Sequence, residues 1–168
     1  SVVYTVGFVY QSQKNNIFSD PDVTANFSRR LSYYHQVIIG RKFSERFTLQ
    51  LSPILVHSNY VENALDPNNL FALGLGTRYK ITKRFAVLID YTYPFNSFPF
   101  RPLNHPLSIG VDIETGGHVF QLHFSNSPGV TERAYIRDQN GDWFNGDIGF
   151  GFNISRLFQI THHKIEGL

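Results

Sequence analysis

The stretch IGFGFNISRLFQI, residues 148–160, alternates with a period of two. Ile148, Phe150, Phe152, Ile154, Phe158 and Ile160 share one parity; Gly149, Gly151, Asn153 and Ser155 share the other. A helix groups residues three and four apart, so this spacing predicts a strand. One face is large and apolar, the other small and polar. In a soluble protein the apolar face turns to a core. In a transmembrane barrel it turns to lipid, and the small polar face lines the interior.

The same design recurs seven times upstream. Val2, Tyr4, Val6, Phe8 and Tyr10 open the chain on one parity. Residues 30–40 set Leu31, Tyr33, Val37 and Ile39 against Ser32, Gln36 and Gly40. Residues 47–56 set Phe47, Leu49, Leu51 and Leu55 against Thr48, Gln50 and Ser52. Pro53 lies inside that run, lacks a ladder donor, and predicts a bulge or a strand end. Residues 70–80 set Phe71, Leu73, Leu75 and Tyr79 against Ala72, Gly74, Gly76, Arg78 and Lys80. Residues 85–93 set Phe85, Val87, Ile89, Tyr91 and Tyr93 against Ala86, Asp90 and Thr92. Leu107, Ile109, Val111 and Ile113 oppose Ser108, Gly110, Asp112 and Glu114. Phe120, Leu122 and Phe124 oppose Gln121, His123 and Ser125.

The connections between these eight stretches alternate, long then short, from first to last. Residues 13–28, 57–69, 94–106 and 126–143 are long; 41–46, 81–84 and 115–117 are short. Outer-membrane barrels have this asymmetry, with short periplasmic turns and long external loops. A soluble sandwich has no reason to gather every long loop at one end. Runs of about 9–11 residues also suit a tilted bilayer crossing. Tyr10, Tyr33, Phe47, Tyr79, Phe85, Tyr93 and Phe158 sit at strand ends, where barrels carry aromatic girdles. Arg41, Lys42, Arg46, Lys83 and Arg84 cluster in the short turns. The soluble rival, a lipocalin-like binding barrel, reverses the polarity, with apolar residues inside.

Composition bounds the rest. Aromatics make up 15% of the chain, with 16 Phe and 9 Tyr, which favours pleated surfaces. No window approaches the ~20 apolar residues of a spanning helix, so a membrane reading rests on a barrel. Net charge is +2, without a basic run that would suit nucleic acid. With no cysteine, disulfides and thiolate metal sites are excluded. Ser1 begins directly in strand alternation, so no signal peptide is read; the chain is either mature or a fragment.

Four segments, QVIIGRKFSERFTLQLSPILVH, LFALGLGTRYKITKRFAVLIDYTY, PLSIGVDIETGGHVFQLHFSNSPGVTERAYI and GDWFNGDIGFGFNISRLFQI, resemble a family of Bacteroidota outer-membrane β-barrels known only as a domain of unknown function (number 5777). The likeness spans almost the whole chain in the same order. Residues 148–160 are also similar to the C-terminal signal of bacterial outer-membrane barrels. The resemblance implies a fold and a place but no activity. Family members carry a signal peptide and further strands upstream. The chain is thus expected to be the C-terminal part of a barrel of about twelve strands. Members end near Ile160, which leaves residues 161–168, THHKIEGL, as a tail.

The fold expected is therefore all-β, an antiparallel up-and-down transmembrane barrel over residues 1–160. Gln50, Arg78, Lys80, Asp90, Asp112, Glu114, Gln121 and His123 are expected to line the lumen. Leu49, Leu73, Val87, Ile109, Leu122, Phe150, Phe152 and Phe158 are expected to face lipid. A hydrolase reading takes Ser108 or Ser125 as nucleophile, His123 as base and Asp112 as its partner. The simpler reading is an inward network of hydrogen bonds and ion pairs, since no nucleophile-elbow motif is present. DQNGD, residues 138–142, slightly resembles part of a calcium loop, but the distal Glu of a full loop is absent and Asn140-Gly141 is more simply a tight turn. His162, His163 and Glu166 suit a metal less well than a mobile tail. The loop 94–106 exposes Phe95, Phe98 and Phe100, to plug the lumen, meet a partner or pack on the rim. His35 and Arg156 are polar on the lipid parity. His35 marks a protein contact or a bulge, and Arg156 the periplasmic interface.

The function expected is a bacterial outer-membrane barrel, either a narrow porin-like channel or a structural subunit of an outer-membrane complex. Neither catalysis, nor a cofactor, nor a metal is expected. The expected partners are outer-membrane lipid and, in the second reading, other outer-membrane proteins, with no nucleic acid.

Overall fold

Where the sequence alternates, strands form, and each pairs antiparallel with the next. The computed structural model describes residues 1–12, 26–61, 63–99, 103–127, 129 and 131–156. The strands are β1 (Val2–Tyr10), β2 (Leu31–Lys42), β3 (Phe47–Ser58), β4 (Asn69–Lys80), β5 (Phe85–Pro94), β6 (Leu107–Thr115), β7 (His118–Ser125) and β8 (Gly149–Arg156). They make one eight-stranded sheet in the order β1 to β8, curled into a half-barrel. Among the described residues β1 and β8 each have one neighbour, so the sheet has two edges. No helix of the described residues is long and apolar enough to cross a membrane.

The short turns are built by two devices. KFSERF and KITKRF, six residues each from Lys42 and Lys80, are variants of one motif. In the first, Ser44 Oγ accepts from the backbone amides of Arg46 and Phe47 at 3.3 and 3.0 Å. In the second, Thr82 Oγ1 accepts from Arg84 and Phe85 at 3.2 and 3.0 Å. Local bonding of this kind is why Ser and Thr favour turns. The β6–β7 turn uses Gly116 and Gly117 at φ +49° and +114°, conformations that L side chains rarely adopt.

Pairing is uniform enough to sort every side chain. On one face run rows such as Phe47, Tyr79, Val87, Val111, Leu122 and Phe152. On the other run Gln50, Gly76, Asp90, Ser108, Ser125 and Gly149. Pro53 produces neither a bulge nor a strand end. β3 continues to Ser58 and keeps its register with β4, Pro53 standing opposite Leu73. The missing donor shows on the other side, where the β2 ladder lapses between Gln36↔Ile54 and Ile39↔Leu51 without shifting register. His35 likewise marks no bulge. It pairs in register with Val6, and its Nδ1 shares a 2.6 Å hydrogen bond with the Tyr4 hydroxyl on the outward surface.

The buried cluster is not between two layers but inside the curl, toward the long connections. Ile54, Val56, Leu70 and Ala72 of β3 and β4 lie beneath Phe98 and Ile136 from two of those connections. Phe98 is thus inward and buried, while Phe95 of the same connection is exposed. Phe100 lies outside the described residues.

Candidate functional site: the concave face and its strap

Gln50, Arg78, Lys80, Asp90, Asp112, Glu114, Gln121 and His123 all stand on the concave face. Leu49, Leu73, Val87, Ile109, Leu122, Phe150 and Phe152 stand on the convex face. Phe158 and the tail 161–168, with His162, His163 and Glu166, lie outside the described residues. Arg156 is on the convex face at the short-turn end, opposite His118.

Arg78 Nε donates to Asp112 Oδ2 at 2.9 Å, although β5 lies between their strands. On β5 the register partner of Asp112 is Ala86 and that of Arg78 is Leu88, so the bridge runs diagonally across that strand. Gln121 Nε2 donates to Asp112 Oδ1 at 2.8 Å, and Lys80 approaches Glu114 at 3.9 Å. Gly151 leaves room for His123, because a Cβ at 151 would overlap the imidazole ring.

This arrangement does not assemble the hydrolytic constellation. Asp112 is held by Arg78 and Gln121, and Ser108 Oγ donates to Ser125 Oγ at 2.8 Å. Among the described residues, no hydrogen bond joins His123 to any of the three. In 138–142 the two aspartates have partners within the connection. Asp138 pairs with Arg133 at 3.0 Å, and Asp142 Oδ1 accepts from the Phe144 amide at 2.9 Å.

Sequence reasoning missed the element that crosses the concave face. Residues 131–139, in the connection between β7 and β8, form a strap that includes a π-helical turn at Arg133–Arg137. The Tyr135 hydroxyl donates to Asp90 Oδ1 at 3.0 Å. Burial pushes that hydroxyl well above its ordinary pKa, and the Asp90 carboxylate adds to the shift, so it stays protonated and donating. Ile136 is fully buried against the β3–β4 cluster. Arg137 Nη1 donates to the Pro67 carbonyl at 2.9 Å, and the guanidinium lies 5.2 Å from the Phe98 ring centroid. At the far side, the Gln11 side-chain amide lies against the Arg133 guanidinium, which its oxygen accepts from when the amide is oriented to satisfy both groups. The strap therefore reaches from the β7 end of the sheet to the end of β1. Trp143 Nε1, donating to the Leu107 carbonyl at 2.9 Å, fixes the later part of the same connection to the rim.

Between strap and wall remains a gap lined by Gln36, Gln50, Ser52, Asp90, Thr131 and Glu132. Toward the short turns the curl is lined by Asp112, Gln121, His123 and Gly110. What the geometry offers is a concave, largely polar surface, crossed at its long-loop end by an inserted segment.

Residues 1–158 match a family model described as "Membrane bound beta barrel domain (DUF5777)". No curated protein and no solved structure matches the chain.

Proposed function

Because the chain belongs to the membrane bound beta barrel domain family, we propose that it forms a narrow, porin-like channel in the outer membrane of a bacterium. The observation that carries this reading is the concave face. Outside the apolar cluster beneath Phe98 and Ile136 its lining is rich in small and polar residues, and its ion pairs are satisfied within the lining rather than aimed at lipid. The convex face, with exposed Phe8, Phe71, Leu75, Ile89, Phe150 and Phe152, suits lipid contact. Outer-membrane lipid is then the first partner. The channel has no catalytic role and uses no cofactor.

Two edges cannot persist inside lipid, where each unpaired backbone group is costly. Closure is by further strands, giving the larger barrel of about twelve that the Bacteroidota family resemblance implies, with this chain as its C-terminal part.

A second reading, a structural barrel subunit in an outer-membrane complex, is favoured by the packing of Ile136 and Phe98 against the wall, which fills part of the bore. Planar-bilayer conductance of the full-length protein separates the two. Discrete small current steps are expected for the channel, and a silent bilayer from folded protein rejects it.

A further inference from the structure

The lumenal carboxylates fall into two groups. Toward the short turns, Asp112 is neutralised by Arg78 and Glu114 faces Lys80. Beside the strap, Asp90 accepts from a neutral phenol, and Glu132 has no hydrogen-bond or ion-pair partner among the described residues. Both line the same gap of about 170 Å³, together with the amide and hydroxyl groups of Gln50, Ser52, Thr92 and Thr131. Among the described residues no basic side chain lines it. Beside the strap the lumen thus carries carboxylates without basic partners among the described residues, and toward the short turns it carries paired charge.

Resting on the channel reading above, we propose that this gap is the selectivity constriction, passing small cations and opposing anions, with Asp90 and Glu132 as the residues that set the preference. Fixed charge in a narrow, protein-walled passage acts at short range and is poorly screened, whereas paired charges cancel at a distance. Tyr135 positions Asp90 by holding one carboxylate oxygen. The strap itself supplies Glu132, so selectivity depends on the strap being docked.

The test is the reversal potential of the full-length protein in planar bilayers under a potassium chloride gradient. Wild type is expected to prefer potassium. The double variant Asp90→Asn, Glu132→Gln keeps side-chain size and an acceptor for Tyr135, and is expected to lower the cation-to-anion permeability ratio about fivefold. Glu45→Gln, in an exposed short turn, is expected to change nothing. If the double variant does not fold, Glu132→Gln alone carries the test, with a fall of about twofold. Current with an anion preference, or a ratio unmoved by both variants, overturns the constriction while leaving the channel. Absence of current from folded wild type overturns the channel reading and this inference with it.

Discussion

Replacing Asp112 with alanine is expected to destabilise the barrel by about 2–3 kcal/mol. The carboxylate accepts from Arg78 at 2.9 Å and from Gln121 at 2.8 Å. A hydrogen bond to a charged group contributes roughly 1.5–3 kcal/mol net. Breaking a fully buried ion pair costs about 3–5 kcal/mol, because the abandoned charge is stranded. Here the side chain of Asp112 is 6% exposed but that of Arg78 is 31% exposed, so water reaches the freed guanidinium and the loss stays below that range. Asp112→Asn keeps an acceptor for Gln121 and is expected to cost about 1–2 kcal/mol. Lys80 and Glu114 provide the contrast. They are 3.9 Å apart with side chains 35% and 44% exposed, and Lys80→Met is expected to cost under about 0.5 kcal/mol. The assay is urea unfolding from phospholipid vesicles, followed by the fluorescence of Trp143, the one tryptophan of this chain. Asp112→Ala within about 0.5 kcal/mol of wild type, or a Lys80→Met loss as large as that of Asp112→Ala, would refute the reasoning.

Tyr135→Phe removes the donor to Asp90 and is expected to weaken strap docking by about 1–2 kcal/mol, read as faster protease cleavage within residues 131–139; unchanged cleavage rejects the tether. Gly151→Val is expected to lower stability by at least about 1 kcal/mol because its Cβ occupies the His123 ring position, whereas Gly149→Ala, whose Cβ would meet only the Ser125 carbonyl at 3.6 Å, is expected to be tolerated. Equal unfolding midpoints for the two variants would count against the close fit. Leu75→Arg, on the convex face between Leu51 and Tyr91, is expected to cost about 2–4 kcal/mol in vesicles. Leu65→Arg, in a long connection, is expected to stay within about 0.5 kcal/mol in the same measurement.

The two-faced wall was legible because period-2 alternation is a local property. Once Phe150 and Phe152 share a parity, their face follows wherever the strand lies. Pro53 was misjudged because its cost depends on which neighbour its nitrogen faces. The β2 side gives up two residue pairs while the β4 side keeps all of them. The Asp112 network was legible as a polar set but not as a geometry, since its bridge joins β4 to β6 across the strand between them. The strap was not legible, because its contacts join residues 45 and 70 positions apart, Asp90 with Tyr135 and Pro67 with Arg137. One signal was available: Ala134, Tyr135 and Ile136 form a short apolar run between charged residues in that connection. The repeated turn motif, KFSERF and KITKRF, was also in plain view and explains why two turns share one hydrogen-bond pattern.

The meander has a consequence for the order of folding. Each ladder joins strands adjacent in sequence, and β2–β3, β4–β5 and β6–β7 close through tight turns. Such hairpins need little loop-closure entropy and can form as separate units. The strap has no docking surface until those units have joined, because Asp90, the Pro67 carbonyl and Gln11 belong to three different parts of the chain. Its docking therefore requires those units to have joined, because its anchor points come together only on the curled sheet.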